Sequence, residues 1–253
     1  MLYEDVQKFS NAAAGKSKLL NEHFGKYFLR AIMAGFFIAV AMIYSNVVGN
    51  VFSSVEGLAP WGKFIGAIVF SIAVLLIVFI GSELFTGNNL IMAFGAFDKR
   101  VSWKDAGKVW LVSYIGNFVG CVIFSLIFVG AGASGTADYF ASIIDGKLSI
   151  PIPEMFCRAV LCNFFVCLAV ACGTKLKSES AKFCMICICI SGFVMSGFEH
   201  CVANMAIFTT TLCLVDGVSV LDMIRNLVVV TLGNMVGGAI LLAMPLRYMS
   251  NDK

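Results

Sequence analysis

Two carboxylates, Glu83 and Glu199, sit inside long apolar runs of this chain. An ionised carboxylate at membrane depth costs about 3 kcal/mol or more, so such a residue is a functional candidate by default. The two share one pattern, Gly81-x-Glu83-x4-Asn88 and Gly197-x-Glu199-x4-Asn204. A carboxylate can accept backbone N–H groups freed by a break in a helix, and an Asn amide can both donate and accept there. Recurrence at one register therefore points to loop support for Glu83, Asn88, Glu199 and Asn204. His200 differs, because Leu84 holds its position in the first motif. A lone His is more often a satisfied core residue, but this one lies at a break beside a carboxylate. There it can donate a hydrogen bond to an anion or exchange a proton with it. Thr86, in the opposite break, can bring a hydroxyl to the same point.

The elements that must position these groups are long apolar helices. The chain has 253 residues, 60% hydrophobic and 13% charged, with a mean hydropathy of +0.92. So few charges cannot cover a soluble domain of this size. Apolar segments run over Phe28–Val48, Phe64–Ile80, Val109–Gly132, Met155–Cys172, Phe183–Phe198 continuing to Val215, and Leu227–Leu246. Each is near the length needed to cross a bilayer, which is about 20 residues. The expectation is six spans, with the second and fifth broken at the two motifs and resuming near Asn88 and Cys201. Unwound backbone in lipid must be buried in protein or line a wet cavity, and paired breaks in two halves point to a transport site.

The halves match in sequence as well as in layout. Arg30-Ala-Ile-Met-Ala-Gly-Phe-Phe37 resembles Arg158-Ala-Val-Leu-Cys-Asn-Phe-Phe165, 128 residues on. Gly116-Asn117-Phe-Val-Gly120 resembles Gly233-Asn234-Met-Val-Gly237, 117 residues on. With the break motifs, three matches fall in one order, which defines a three-helix repeat over about 28–132 and 153–247. An odd number of spans inverts the second copy. The fold class is all-α integral membrane, six helices as two inverted repeats. Residues 1–27 form an N-terminal segment, with Tyr3, Val6 and Phe9 on one side of a possible interfacial helix, and 28–253 a single transmembrane domain. The run from Phe28 is too long for a cleaved signal core. The net charge of +3 says little, but its distribution orients the chain. With both termini inside, only Lys63, Lys147, Arg158 and Arg225 of the 18 Lys and Arg fall outside, so both termini are expected to be cytoplasmic.

The half-helices would aim the positive ends of their dipoles inward, where they favour anions. Phe85 and Phe193, among 23 phenylalanines, are placed to narrow a pore. Arg30 and Arg158 sit at helix starts and can snorkel. Lys147, just before Pro151-Ile-Pro153, reads from spacing as a solvated charge in an external loop. The ten cysteines lie mostly in apolar runs and read as small hydrophobic residues, Cys184-x-x-Cys187 included. Haem or metal chemistry has no second intramembrane imidazole to use, and neither a cofactor nor nucleic acid is expected.

Leu84-Phe85-Thr86-Gly87-Asn88, Leu161-Cys-Asn163-Phe-Phe-Val166-Cys-Leu-Ala169 and Gly197-Phe-Glu-His200-Cys-Val-Ala-Asn204-Met205 together resemble the formate/nitrite transporter family, over essentially the whole chain. Among its branches the bacterial hydrosulfide channel is the nearest in appearance. The resemblance implies an aquaporin-like protomer, a homopentamer with one pore per protomer, and residence in the bacterial cytoplasmic membrane. It places one apolar slit at Phe70, Phe85 and Phe193 and another at Val74, Leu84 and Val166. Between them His200 would face Thr86 and Asn163, and Lys147 would become an outer cation that gathers anions.

The expected function is a passive or proton-linked pathway for small monovalent anions of weak acids, with hydrosulfide ahead of formate and nitrite. One rival is a membrane thiol oxidoreductase using Cys184 and Cys187, which activity surviving their conversion to Ser would eliminate. Another is a water or glycerol channel, although the Asn-Pro-Ala loops of such channels are absent.

Overall fold

The computed structural model describes residues 2–250. Five of its helical stretches are long and apolar enough to span a membrane: Phe24–Ser53, Ala59–Gly81, Trp103–Gly130, Ile152–Lys175 and Val220–Tyr248. The first is α2. The second comprises α3 (Ala59–Phe70), α4 (Ile72–Leu76) and one π turn, Ile77–Gly81; after a break, α5 (Phe85–Phe97) completes it. Next come α6 (Trp103–Gly130) and α8 (Ile152–Lys175). A broken span, fifth of six in chain order, is divided into α9 (Glu179–Met195) and α10 (Cys201–Leu214), each too short to be one of those five. The sixth comprises α11 (Val220–Met235), a π segment over Val236–Ala243 and α12 (Met244–Tyr248).

Helix starts follow local chemistry. Ser102, Ser178 and Ser219 each cap a helix by accepting a backbone N–H three residues on. Pro60 and Pro153 occupy first turns, where no N–H is needed.

Two further helices lie outside the spans. The N-terminal helix α1 covers Tyr3–Glu22. It is docked rather than lying free at an interface: Val6 and Phe9 are buried, Tyr3 is exposed, and the Phe9 ring lies 5.0 Å from that of Phe94 on α5. The connection between α6 and α8, expected to be an external loop around Lys147, is instead the helix α7 (Ala137–Leu148). Lys147 sits in its last turn.

The repeat is written into the packing. α2 crosses α6 where Gly35, Gly116 and Gly120 let backbones touch; a Cβ on Gly120 would strike the Ile32 carbonyl and lie 2.9 Å from Gly35 Cα. α8 crosses α11 the same way: a Cβ on Gly233 would meet Ala159 Cβ at 2.6 Å, and one on Gly237 would strike the Val160 carbonyl. Val160 is the repeat counterpart of Ile32. Small residues at such crossings let packing hold helices together where lipid supplies no hydrophobic force. The outer face of α6 exposes Leu111, Ile115, Phe118, Leu126 and Ile127, a surface suited to lipid or to another copy and not to water.

Candidate functional site

The two breaks are built by the same set of hydrogen bonds. Each opens with a loosened turn, Ser82 N–H to the Ile77 carbonyl (3.1 Å) and Phe198 N–H to the Phe193 carbonyl (3.2 Å). Gly81 (φ +87°) and Gly197 (φ +70°) then turn left-handed, a conformation that disfavours any side chain. Next, Glu83 N–H donates to the Arg30 carbonyl (3.2 Å) and Glu199 N–H to the Arg158 carbonyl (3.4 Å). Asn117 accepts Phe85 N–H at 2.9 Å and donates to the carbonyls of Ala31 (2.8 Å) and Glu83 (2.9 Å). Asn234 accepts Cys201 N–H at 2.9 Å and donates to Ala159 (2.7 Å) and Glu199 (2.9 Å).

Asn117 and Asn234 therefore satisfy the freed backbone, which at membrane depth has no other partner. The carboxylates accept side-chain donors rather than the freed backbone N–H groups. Glu83 accepts from Asn88 (3.2 Å), Tyr27 (3.2 Å) and Lys16 (2.6 Å). Glu199 accepts from Asn204 (2.7 Å) and Lys147 (2.7 Å). Each carboxylate thus receives side-chain donors and anchors its half-helix, through Asn88 or Asn204, to a helix outside the spans. Lys16 comes from α1 and Lys147 from α7, so these two helices are functional counterparts. Lys147 is not the free cation that spacing and resemblance suggested, because Glu199 holds it.

The half-helix α5 starts at Phe85, three residues before the expected Asn88. The physical reason is Asn117: an acceptor from α6 takes the Phe85 N–H and lets the helix begin earlier than its own sequence supports. α10 begins at Cys201, as the sequence reads.

The half-helices meet N-terminus to N-terminus. Thr86, in the first turn of α5, and His200, the cap of α10, are both buried, with Thr86 Oγ1 and His200 Nε2 3.0 Å apart. His200 Nδ1 accepts the Ala203 N–H at 3.0 Å, so Nδ1 carries no proton there. A neutral ring then has its hydrogen on Nε2 and donates it to Thr86 Oγ1. That leaves the Thr86 hydroxyl hydrogen uncommitted by this pair. Asn163 stands behind Thr86: its amide hydrogens reach the Thr86 carbonyl (3.3 Å), Asn89 Oδ1 (3.0 Å) and the Asn234 carbonyl (2.6 Å). It braces the backbone that presents Thr86.

Phe70, Val74, Leu84, Phe85, Val166 and Phe193 belong to one buried apolar cluster. The Phe70 and Phe193 rings meet edge to face at 5.9 Å, and Phe193 lies against His200 at 6.0 Å. Phe85 turns its ring onto Tyr114 at 5.0 Å. On the α7 side, expected to be outer, a cavity of about 160 Å³ is lined by Phe70, Phe193, His200, Lys147, Glu199 and Asn46. On the other side a cavity of about 280 Å³ reaches Leu84, Glu83, Lys16, Arg30, Ser82 and Thr174. His200 and the apolar cluster separate the two. A larger hollow of about 970 Å³ lies at the rim between α1 and the start of α6, and it touches neither break. Among the described residues no group of His, Cys, Asp and Glu is arranged to hold a metal ion. Cys184 is exposed on α9 and Cys187 half-buried.

Sequence reasoning missed Lys16, Asn117 and Asn234 as site-building residues. For Asn117 and Asn234 the signal was present, since both lie in the Gly-Asn-x-Val-Gly match; Lys16 gave none.

Residues 3–248 match the model of the formate/nitrite transporter family. The chain is 32% identical to the uncharacterized transporter YwcJ of Bacillus subtilis (strain 168), covering 98% of each. It is 32% identical to the formate channel FocA of Haemophilus influenzae, covering 88% of this chain and 86% of that one. Among solved structures, an FNT family ion channel superposes with a TM-score of 0.90 at 26% identity, over 98% of this chain and 99% of its own. A pentameric formate channel with formate bound superposes with a TM-score of 0.74 at 28% identity, over 88% and 96%. These relatives are channels and transporters, not enzymes. Family model, relatives and fold agree with the paired breaks: the chain belongs to the formate/nitrite transporter family.

Proposed function

We propose that the protein is a channel for small monovalent anions of weak acids, with its conduction path between the two cavities through the Thr86–His200 pair. The observation that carries this reading is the 3.0 Å contact of Thr86 Oγ1 with His200 Nε2, flanked by two half-helix N-termini and closed off by apolar side chains. Dipole ends draw an anion inward, and the Thr86 hydroxyl offers it a hydrogen bond where water is stripped away. Apolar constrictions on both sides hold back hydrated ions. An anion that can pick up a proton from vestibule water loses most of its desolvation cost, which favours weak acids. Sulfate, doubly charged and larger, is excluded.

Formate, nitrite and hydrosulfide fit this description. Hydrosulfide is favoured among them, because the break motifs resemble the hydrosulfide branch. Assembly as a homopentamer follows the pentameric formate channel, and one pore per protomer follows the family resemblance. A bacterial cytoplasmic membrane location with both termini inside rests on the Lys and Arg distribution.

Purified protein in liposomes should pass the three anions and not sulfate. Liposomes impermeable to all three would contradict the reading. Replacing His200 with Ala removes both the donor to Thr86 and the acceptor for Ala203, so the pH dependence of flux should change. An unchanged profile would take His200 out of the mechanism.

A further inference from the structure

Asn46 lies on α2 within the first apolar span, at a position no repeat match or break motif singles out. It is only 7% exposed, yet it lines the outer cavity with Phe70, Phe193 and His200. Its amide has one partner among the described residues, a 3.2 Å contact from Nδ2 to Met42 Sδ. Sulfur is a weak acceptor. The second Nδ2 hydrogen and the Oδ1 have no partner among the described residues. A buried amide without a full set of partners costs free energy unless something transiently supplies them.

The inner counterpart differs. Adding the 128-residue offset that relates Arg30 to Arg158 leads from Asn46 to Thr174, which lines the inner cavity. Thr174 Oγ1 donates to the Val170 carbonyl on its own helix at 2.9 Å, so its hydrogen is already used. The inner cavity has the exposed Arg30 guanidinium nearby, whereas in the outer one the Lys147 charge is answered by Glu199 at 2.7 Å. An anion entering from outside therefore meets a nearly neutral antechamber. Its donors there without a full set of partners are the Asn46 amide and the neighbouring Ser45 hydroxyl, and of the two the amide is the more buried.

We propose that Asn46 is the outer recognition residue, replacing water around a small monovalent anion just before the Phe70–Phe193 constriction. This rests on the channel reading above. The ligand class is a monovalent acceptor anion; the amide hydrogen serves an oxygen of formate or nitrite and the sulfur of hydrosulfide alike.

Asn46→Leu keeps the branching and size of the side chain and removes the donor; Asn46→Thr restores one hydrogen. In liposomes, Asn46→Leu should raise the anion concentration for half-maximal flux at least fivefold, and Asn46→Thr should bring it back to within twofold of the parent. In crystals soaked in bromide, anomalous scattering should show an ion beside Nδ2 in the parent protein and none in Asn46→Leu. An unchanged half-saturation, or a parent crystal without bromide at Asn46, would overturn the assignment. If the parent passes none of the anions, the channel reading fails instead, and the bromide peak alone decides Asn46.

Discussion

The two breaks share a skeleton and differ at their tips. Six hydrogen bonds repeat between them, from the loosened turns at Ser82 and Phe198 to the Asn117 and Asn234 braces and the Asn88–Glu83 and Asn204–Glu199 links. Against this, Leu84 stands where His200 does, and Thr86 stands where Val202 does. Duplicated residues hold unwound backbone inside the membrane, a need both halves share. On the proposed channel reading, residues that differ supply what one pore needs only once, a single polar pair in an otherwise apolar path. Symmetry thus separates support from function more sharply than residue type does, since the most conspicuous groups, the two carboxylates, fall on the side of support.

The largest effects should come from removing the braces. Asn117→Leu or Asn234→Leu leaves one N–H and one loop carbonyl, that of Glu83 or Glu199, unpaired in a buried site, while the Ala31 and Ala159 carbonyls keep their helical bonds. At about 1–3 kcal/mol for each unsatisfied group, either variant should lose most of its folded protein. Thermal unfolding in detergent checks this, and the two variants should be damaged alike; a variant that melts like the parent would break the equivalence of the halves.

Smaller losses should follow Glu83→Gln and Glu199→Gln. Each leaves a lysine, largely buried at 21% or 17% side-chain exposure, without its counter-charge. Because these lysines still reach cavity water, the cost should be about 1–3 kcal/mol, below that of a fully buried broken pair. Melting temperatures should fall by similar amounts in both halves. A loss confined to Glu199→Gln would mean that α7, unlike α1, does more than anchor.

Much of this was legible in the sequence. The two breaks, the repeat and the odd pair Thr86 and His200 are visible because a polar residue in an apolar run stands out and a motif can be matched to its copy. The start of α5 was misplaced because its cap comes from Asn117, 32 residues away on another helix, and periodicity carries no information about that contact. Lys147 was read as a loop charge because the surface helix α7 is short and amphipathic, and nothing local reveals that Glu199 answers it. Lys16 escaped for the same reason, being one of several lysines on a polar helix until α1 docks against α5. Asn46 is a further case. Its type is anomalous within its span, but only the fold shows that it faces the outer cavity.

The comparison of the two tips is tested most directly by anion flux through Thr86→Val beside its repeat mirror, Val202→Thr. Valine matches threonine in shape, so both proteins should fold and melt within about 1 kcal/mol of the parent by the usual cost of one hydrogen bond. Thr86→Val removes the hydroxyl that the path requires, and formate or hydrosulfide uptake into liposomes should fall at least tenfold; Val202→Thr should leave uptake within twofold. Parental flux through a well-folded Thr86→Val channel would contradict the account.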